Sequence, residues 1–188
     1  MIRRVGFVGL GHVGAKLASS LLRGGYDLVV LDLDPEAAAP LLEAGAAWAS
    51  SPAQVALRCD LVITCLPSPG ACAEVVEGAN GLLDGLDEGS VWVEMSTTDE
   101  TEVRRLASGM AEIGATAADC PVSGGCHRAA SGNISIFAGC DRPVFERLLP
   151  VLSTMGRHVL HFHMVGLHGR ASFLPGPRAV WGPIQGRI

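Results

Sequence analysis

The chain alternates between short, continuously apolar runs and longer mixed segments of helical periodicity, with glycines and prolines at the joins. Residues 5–8 are the first apolar run. They lead straight into Gly9-Leu10-Gly11-His12-Val13-Gly14, after which 15–22 predicts a helix. Residues 26–31 read as the next strand. A proline in the first turn and Asp34 as cap predict a helix over 35–44, ended by Gly45. A short strand over 46–49 and a helix opened by Ser51-Pro52 and running through 57 come next. The run 61–66 has no polar face, which suits a parallel strand covered by helices on both sides.

Pro67-Ser68-Pro69-Gly70 stops that run. A helix over 71–77, a loop over 78–81 and a strand over 91–94 follow. Ser96-Thr97-Thr98 then precedes a helix over 99–113, with Thr98 and Glu102 near capping-box spacing. After Asp119-Cys120-Pro121-Val122-Ser123-Gly124-Gly125 the pattern predicts a loop through Gly132, a strand over 133–138, a helix over 141–155 and a last strand over 158–162. Alternating strands and helices predict an α/β fold, a Rossmann-type, doubly wound, mainly parallel sheet in three layers with right-handed crossovers. Ligands of such sheets sit beyond the carboxyl ends of the strands. The segments at Gly9, Asp32, Leu66-Pro67 and Ser96-Thr97 are therefore expected to meet in one crevice.

Strand, glycine turn and helix in that order give G-x-G-x-x-G its meaning. Gly9 permits the tight turn, Gly11 lets the backbone approach a pyrophosphate, and Gly14 brings helix and strand together. The helix N-terminus offers unpaired N–H groups and a partial positive charge to phosphates. Asp32 stands 18 residues beyond Gly14, where a carboxylate accepts from both ribose hydroxyls and repels a 2′-phosphate. Leu33 follows where a phosphate-binding chain would want arginine, so the pair favours NAD over NADP. A second glycine loop, Ser123-Gly124-Gly125, frees backbone for a small anion, and Arg128 lies one turn away. A purely structural reading suits that loop equally well. Turn and cap chemistry alone would likewise account for Leu66-Pro67 and Ser96-Thr97.

Composition narrows the class. Of 188 residues 48% are hydrophobic and 18% charged, which fits one globular core. The net charge of −5 points to neither nucleic acid nor membrane. No apolar run approaches the roughly 20 residues of a membrane span, and a charged strand at the N-terminus predicts no signal peptide. The six cysteines (59, 65, 72, 120, 126 and 140) form no C-x-x-C pair and predict reduced thiols of a cytoplasmic protein. Cys120 and Cys126 flank the second glycine loop with no base placed beside them. His158, His161, His163 and His168 lack a paired acid or cysteine, so no metal is expected.

With these pieces in order the chain resembles the β-hydroxyacid dehydrogenase family, which includes 3-hydroxyisobutyrate dehydrogenases, tartronate semialdehyde reductases and, more distantly, 6-phosphogluconate dehydrogenases. The resemblance rests on G-F-V-G-L-G-H-V-G, C-L-P, E-M-S-T-T, D-C-P-V-S-G-G, A-A-S-G-N-I-S-I-F-A-G-C and P-V-L-S-T-M-G-R-H-V-L-H-F, over roughly residues 3–162. It implies interconversion of a small β-hydroxyacid and its semialdehyde with NAD(P). By the same resemblance Gly9, Leu10, Gly11, His12, Val13 and Gly14 would line the pyrophosphate and Asp32 the adenosine ribose. Leu66, Pro67 and Thr97 would meet the nicotinamide half, and Ser123, Gly124 and Gly125 the substrate. An NADP-dependent imine or ketone reductase of the same superfamily is disfavoured by Asp32 and Leu33.

The family continues after the last strand into a long helix carrying a catalytic lysine. Here the match dissolves after Phe162. The family register puts Ser172 near the lysine position, and Lys16 is the only lysine in the chain. No catalytic residue is assigned. The expectation is a dinucleotide-binding domain over 1–162, followed by an atypical Gly/Pro/Arg-rich tail over 163–188 in place of the helical substrate and dimerisation domain. On that reading the product is truncated or frame-shifted and catalytically impaired, with a homo-oligomer possible only if a helical domain were present. The alternative is a non-catalytic dinucleotide-binding module acting with a partner.

Overall fold

Six parallel strands carry the fold in the spatial order β3-β2-β1-β4-β5-β6: β1 (Arg4–Val8), β2 (Asp27–Leu31), β3 (Ala47–Trp48), β4 (Leu61–Thr64), β5 (Val91–Glu94) and β6 (Thr116–Asp119). They belong to a computed structural model that describes residues 2–96 and 99–162. Three further strands extend the sheet beyond β6. β8 (Ile134–Gly139) runs antiparallel to β6 and to β7 (Val122–Ser123), and β9 (Gly156–Phe162) lies parallel to β8. The seven helices of the described residues are α1 (Gly14–Arg23), α2 (Ala39–Glu43), α3 (Pro52–Arg58), α4 (Pro69–Glu77), α5 (Glu100–Glu112), α6 (Gly125–Ala130) and α7 (Arg142–Met155). None of them is long and apolar enough to cross a membrane.

Strand register sorts the apolar residues into two faces. Phe7, Ile63 and Val93 are partners across β1, β4 and β5 and pack with Leu17 and Leu21 of α1 and Leu148 and Leu152 of α7. Their neighbours Val62 and Trp92 face the other way, against Val55 of α3, Val76 of α4 and Leu106 and Met110 of α5. Two apolar faces covered by helices make the three layers, and explain why residues 61–66 carry no polar period.

Local differences from the sequence pattern have identifiable causes. The helix over 35–44 is a 3₁₀ turn, Pro35–Ala38, followed by α2, because Pro40 has no N–H for the Glu36 carbonyl. α4 starts two residues earlier than 71, with Ser68 accepting from the Ala71 N–H at 3.2 Å. Asp99, not Thr98, caps α5, accepting from the N–H groups of Thr101 (2.9 Å) and Glu102 (3.1 Å); Thr98 lies outside the described residues. The loop through Gly132 contains α6. β6, with its sequence T-A-A-D, had no strand signal and exists because β5 and β8 flank it. The tail over 163–188 lies outside the described residues.

Candidate dinucleotide site

The carboxyl ends of β1, β2, β4, β5 and β6 share one edge of the sheet, and the turn after β1 is built by its glycines. Gly9 adopts φ +94° and lies so close to β4 that a Cβ would stand 2.4 Å from the Cys65 carbonyl oxygen. Its N–H donates to the Leu31 carbonyl at 3.0 Å, tying the turn to β2. At Gly14 a Cβ would stand 2.0 Å from the Gly9 carbonyl oxygen, so only glycine lets α1 start this close to the strand. Gly11 differs. A Cβ there would meet nothing within 4 Å. The protein's own packing does not need glycine at that position, and the open space leaves room for a ligand's close approach.

α1 then begins without a side-chain cap or an acid in its first turn, with Val13 at the cap position. The N–H groups of Gly11, His12 and Val13 find no acceptor among the described residues. Leu10, Gly11, His12, Ala15 and Lys16 line an open hollow of about 300 Å³ over this helix start. Free donors, a positive dipole end and an open hollow suit a pyrophosphate.

Asp32 closes the site on the β2 side. Its Oδ2 accepts from the Leu10 N–H at 2.5 Å and its Oδ1 from the Asp34 N–H at 2.9 Å. Each carboxylate oxygen takes two hydrogen bonds, so one lone pair on each is left for the two ribose hydroxyls. Leu33 is fully exposed beside it and offers no charge to a 2′-phosphate. The residues fit a dinucleotide, and NAD better than NADP.

The turns after β4 and β5 are joined by a buried acid. Glu94, at the end of β5, accepts the Ser96 N–H on Oε1 at 2.6 Å, and on Oε2 the Cys72 thiol at 3.0 Å and the Thr64 hydroxyl. The Ser96 hydroxyl is a further donor to it. Burial pushes the Glu94 carboxyl up, and the hydrogen bonds from Ser96, Thr64 and Cys72 pull it back without cancelling that rise. The Leu66 N–H donates to Ser96 Oγ at 2.6 Å, so Leu66 and Ser96 are held together at the sheet edge. Pro67 is exposed next to them. Thr97 lies outside the described residues. Thr64 and Glu94 belong to no spacing motif, although an acid inside the apolar V-W-V-E-M-S is a usable signal.

Ser123 ends β7, paired with Ser135 of β8 and exposed. Gly124 (φ +135°) and Gly125 (φ +71°) turn the chain into α6, and a Cβ on Gly124 would strike Arg128 Cδ at 2.8 Å. α6 packs against α1, bringing this loop alongside the helix of the glycine turn. Of the cysteines, Cys126 alone is exposed, while Cys120 is wholly buried. Among the described residues no group of three or more His, Cys, Asp or Glu could hold a metal ion. His161 Nε2 lies 2.8 Å from the Cys140 carbonyl oxygen and its ring stacks on Phe145; His163 and His168 lie outside the described residues.

Comparison with known proteins agrees with this geometry. The NAD-binding domain of 6-phosphogluconate dehydrogenase matches residues 4–166. A mitochondrial 3-hydroxyisobutyrate dehydrogenase of Mus musculus is 40% identical over 162 residues, 86% of this chain and 48% of that one. The 2-(hydroxymethyl)glutarate dehydrogenase of Eubacterium barkeri is 34% identical over 158 residues, 84% of this chain and 52% of that one. The chain thus spans about half the length of the curated relatives it matches. A solved Mycobacterium tuberculosis 3-hydroxyisobutyrate dehydrogenase with L-serine superposes with a TM-score of 0.84 at 27% identity, over 92% of this chain and 58% of that one. The glycine turn, the acid after β2 and the family match agree, and the chain belongs to the 6-phosphogluconate dehydrogenase NAD-binding domain family.

Proposed function

We propose that the chain binds NAD(H) across the ends of β1, β2, β4 and β5, and that the chemistry it serves is oxidation of a small β-hydroxyacid to its semialdehyde, or the reverse. The observation that carries the reading is the contrast between Gly11 and its neighbours. Gly9 and Gly14 are required by the protein's own packing, whereas Gly11 faces open space. In this reading Gly9 to Gly14 hold the pyrophosphate, Asp32 the adenosine ribose, and Leu66, Pro67 and Thr97 the nicotinamide half. Ser123, Gly124 and Gly125 hold the substrate carboxylate and hydroxyl, with Arg128 adding charge. Bound NAD+ supplies the hydride acceptor.

The substrate hydroxyl also has to lose a proton, a task for which the resemblance implies a lysine on a helix beyond the last strand. Lys16 is the only lysine; it is exposed on α1 and lines the hollow at the glycine turn. We therefore propose that these 188 residues on their own hold the cofactor and turn over slowly at best, since losing a general base typically costs about 10²–10⁴-fold in rate. Titration with NADH and NADPH, followed by turnover assays with 3-hydroxyisobutyrate on the same sample, tests both parts. Tight NADH binding without fast turnover supports the reading. Fast turnover would overturn the second part, and absence of NADH binding the first.

A further inference from the structure

Glu94 has no place in the reading above, yet it is fully buried at the edge of the sheet where the cofactor would lie. Its surroundings suit an ionised carboxylate, because each hydrogen-bond partner of its oxygens is a donor: the Ser96 N–H, the Ser96 hydroxyl, the Thr64 hydroxyl and the Cys72 thiol. An ionised carboxylate accepts about four hydrogen bonds, and here four arrive.

The direction of the network is fixed from outside. The Trp92 indole N–H can only donate, and it donates to Thr64 Oγ1 at 2.9 Å, which leaves the Thr64 proton for Glu94. The Leu66 backbone N–H can only donate, and it donates to Ser96 Oγ, which leaves the Ser96 proton for Glu94. Two one-way chains thus run into a single acceptor. One starts in the hydrophobic face at Trp92, and the other starts at Leu66 in the turn after β4. Glu94 itself sits before the turn after β5. It is the point where the two turns are referred to each other and to the core.

Resting on the proposed cofactor placement, we infer that Glu94 is a positioning residue for the nicotinamide half: as an acceptor-only hub it locks the Leu66 turn to the Ser96 turn, and so fixes the floor on which the nicotinamide lies. Adenosine recognition at Asp32 and the glycine turn lies across β1 and does not use this lock. The inference therefore separates the two halves of one ligand.

The test compares NADH with ADP-ribose, which lacks the nicotinamide ring, in fluorescence and calorimetric titrations of the full chain. Glu94→Gln keeps the shape but replaces one oxygen by an NH2, so that two of the four donors face a donor. NADH affinity should fall roughly tenfold, the scale of a broken hydrogen bond to a charged group, while ADP-ribose affinity stays within about twofold. Ser96→Ala, which takes the acceptor from the Leu66 N–H and one donor from Glu94 but sets no donor against a donor, should give the same split and covers the case in which Glu94→Gln folds poorly. Equal losses for both ligands, or no loss for either, would overturn the inference while leaving the cofactor reading intact. Wild-type protein that binds ADP-ribose but gains nothing from the nicotinamide half would overturn the placement on which it rests.

Discussion

The Leu10 N–H donates to Asp32 Oδ2 at 2.5 Å, so the second residue of the glycine turn is oriented by the acid at the end of the neighbouring strand. One carboxylate thereby shapes the glycine turn and, in the proposed placement, also takes the ribose. Asp32→Ala removes hydrogen bonds to a charged group, each worth about 1.5–3 kcal/mol. NADH affinity should fall by about tenfold or more, and the preference for NADH over NADPH should narrow, both measured by titration.

The three glycines of the turn should separate stability from binding. Gly14→Ala forces a methyl onto the Gly9 carbonyl, 2.0 Å away, and should cost about 1–3 kcal/mol in denaturant unfolding, as overpacking does. Gly11→Ala meets no protein atom and should change stability by no more than about 0.5 kcal/mol. In the proposed placement it puts a methyl where the pyrophosphate would approach, so NADH binding should weaken markedly. Loss of stability at Gly11 with unchanged binding would contradict the assignment.

Burial sets the thiol chemistry. It pushes Cys59 and Cys65 up to about 12 and Cys140 up to about 11, and it raises Cys72 and Cys120 as well, with nearby acids adding to the rise. Since the thiolate is the reactive form, one thiol per native chain should react quickly with an aromatic disulfide reagent near pH 8. Cys126→Ser should abolish that fast phase, and the other thiols should appear only on unfolding.

Two carboxylates should bend the pH dependence of stability in opposite directions. Burial raises Asp60, but the N–H groups of Arg4 and Arg3 and the Arg4 charge outweigh it and hold the carboxyl below its ordinary value. Its folded form binds the proton less readily than its unfolded form. The stability it gives is present above the ordinary carboxylate range and is lost as pH falls through the lowered value. This half-exposed group is screened by solvent, so Asp60→Asn should flatten the acid limb by about 0.5 kcal/mol or less. Glu94 is raised by burial, so its contribution is present below the ordinary range and is lost as pH rises through the folded value. Glu94→Gln should remove that decline in unfolding measured across pH.

Much of this was legible in the chain because it is local. Gly9 to Gly14 between an apolar run and a helix, the Ser51-Pro52 cap pair and the unbroken apolar run at Leu61 each signal through near neighbours. What escaped depends on distant partners. β6 is made of small residues and is a strand only because β5 and β8 flank it. The Gly124-Gly125 pair reads as loop, yet it starts α6 because positive φ at both residues turns the chain onto α1. Glu94 finds Cys72 and Thr64 22 and 30 residues away in sequence, beyond any spacing rule. The relation of Thr98 to the α5 cap illustrates a nearer miss, since Asp99, one residue on, does the capping.

NADH titration of the wild-type protein beside Asp32→Ala and Gly11→Ala decides whether the glycine turn and the acid after β2 form an NAD site. Wild type should bind saturably and both variants should bind more weakly while remaining folded. Equal affinity in all three proteins, or no binding to well-folded wild type, would contradict that placement.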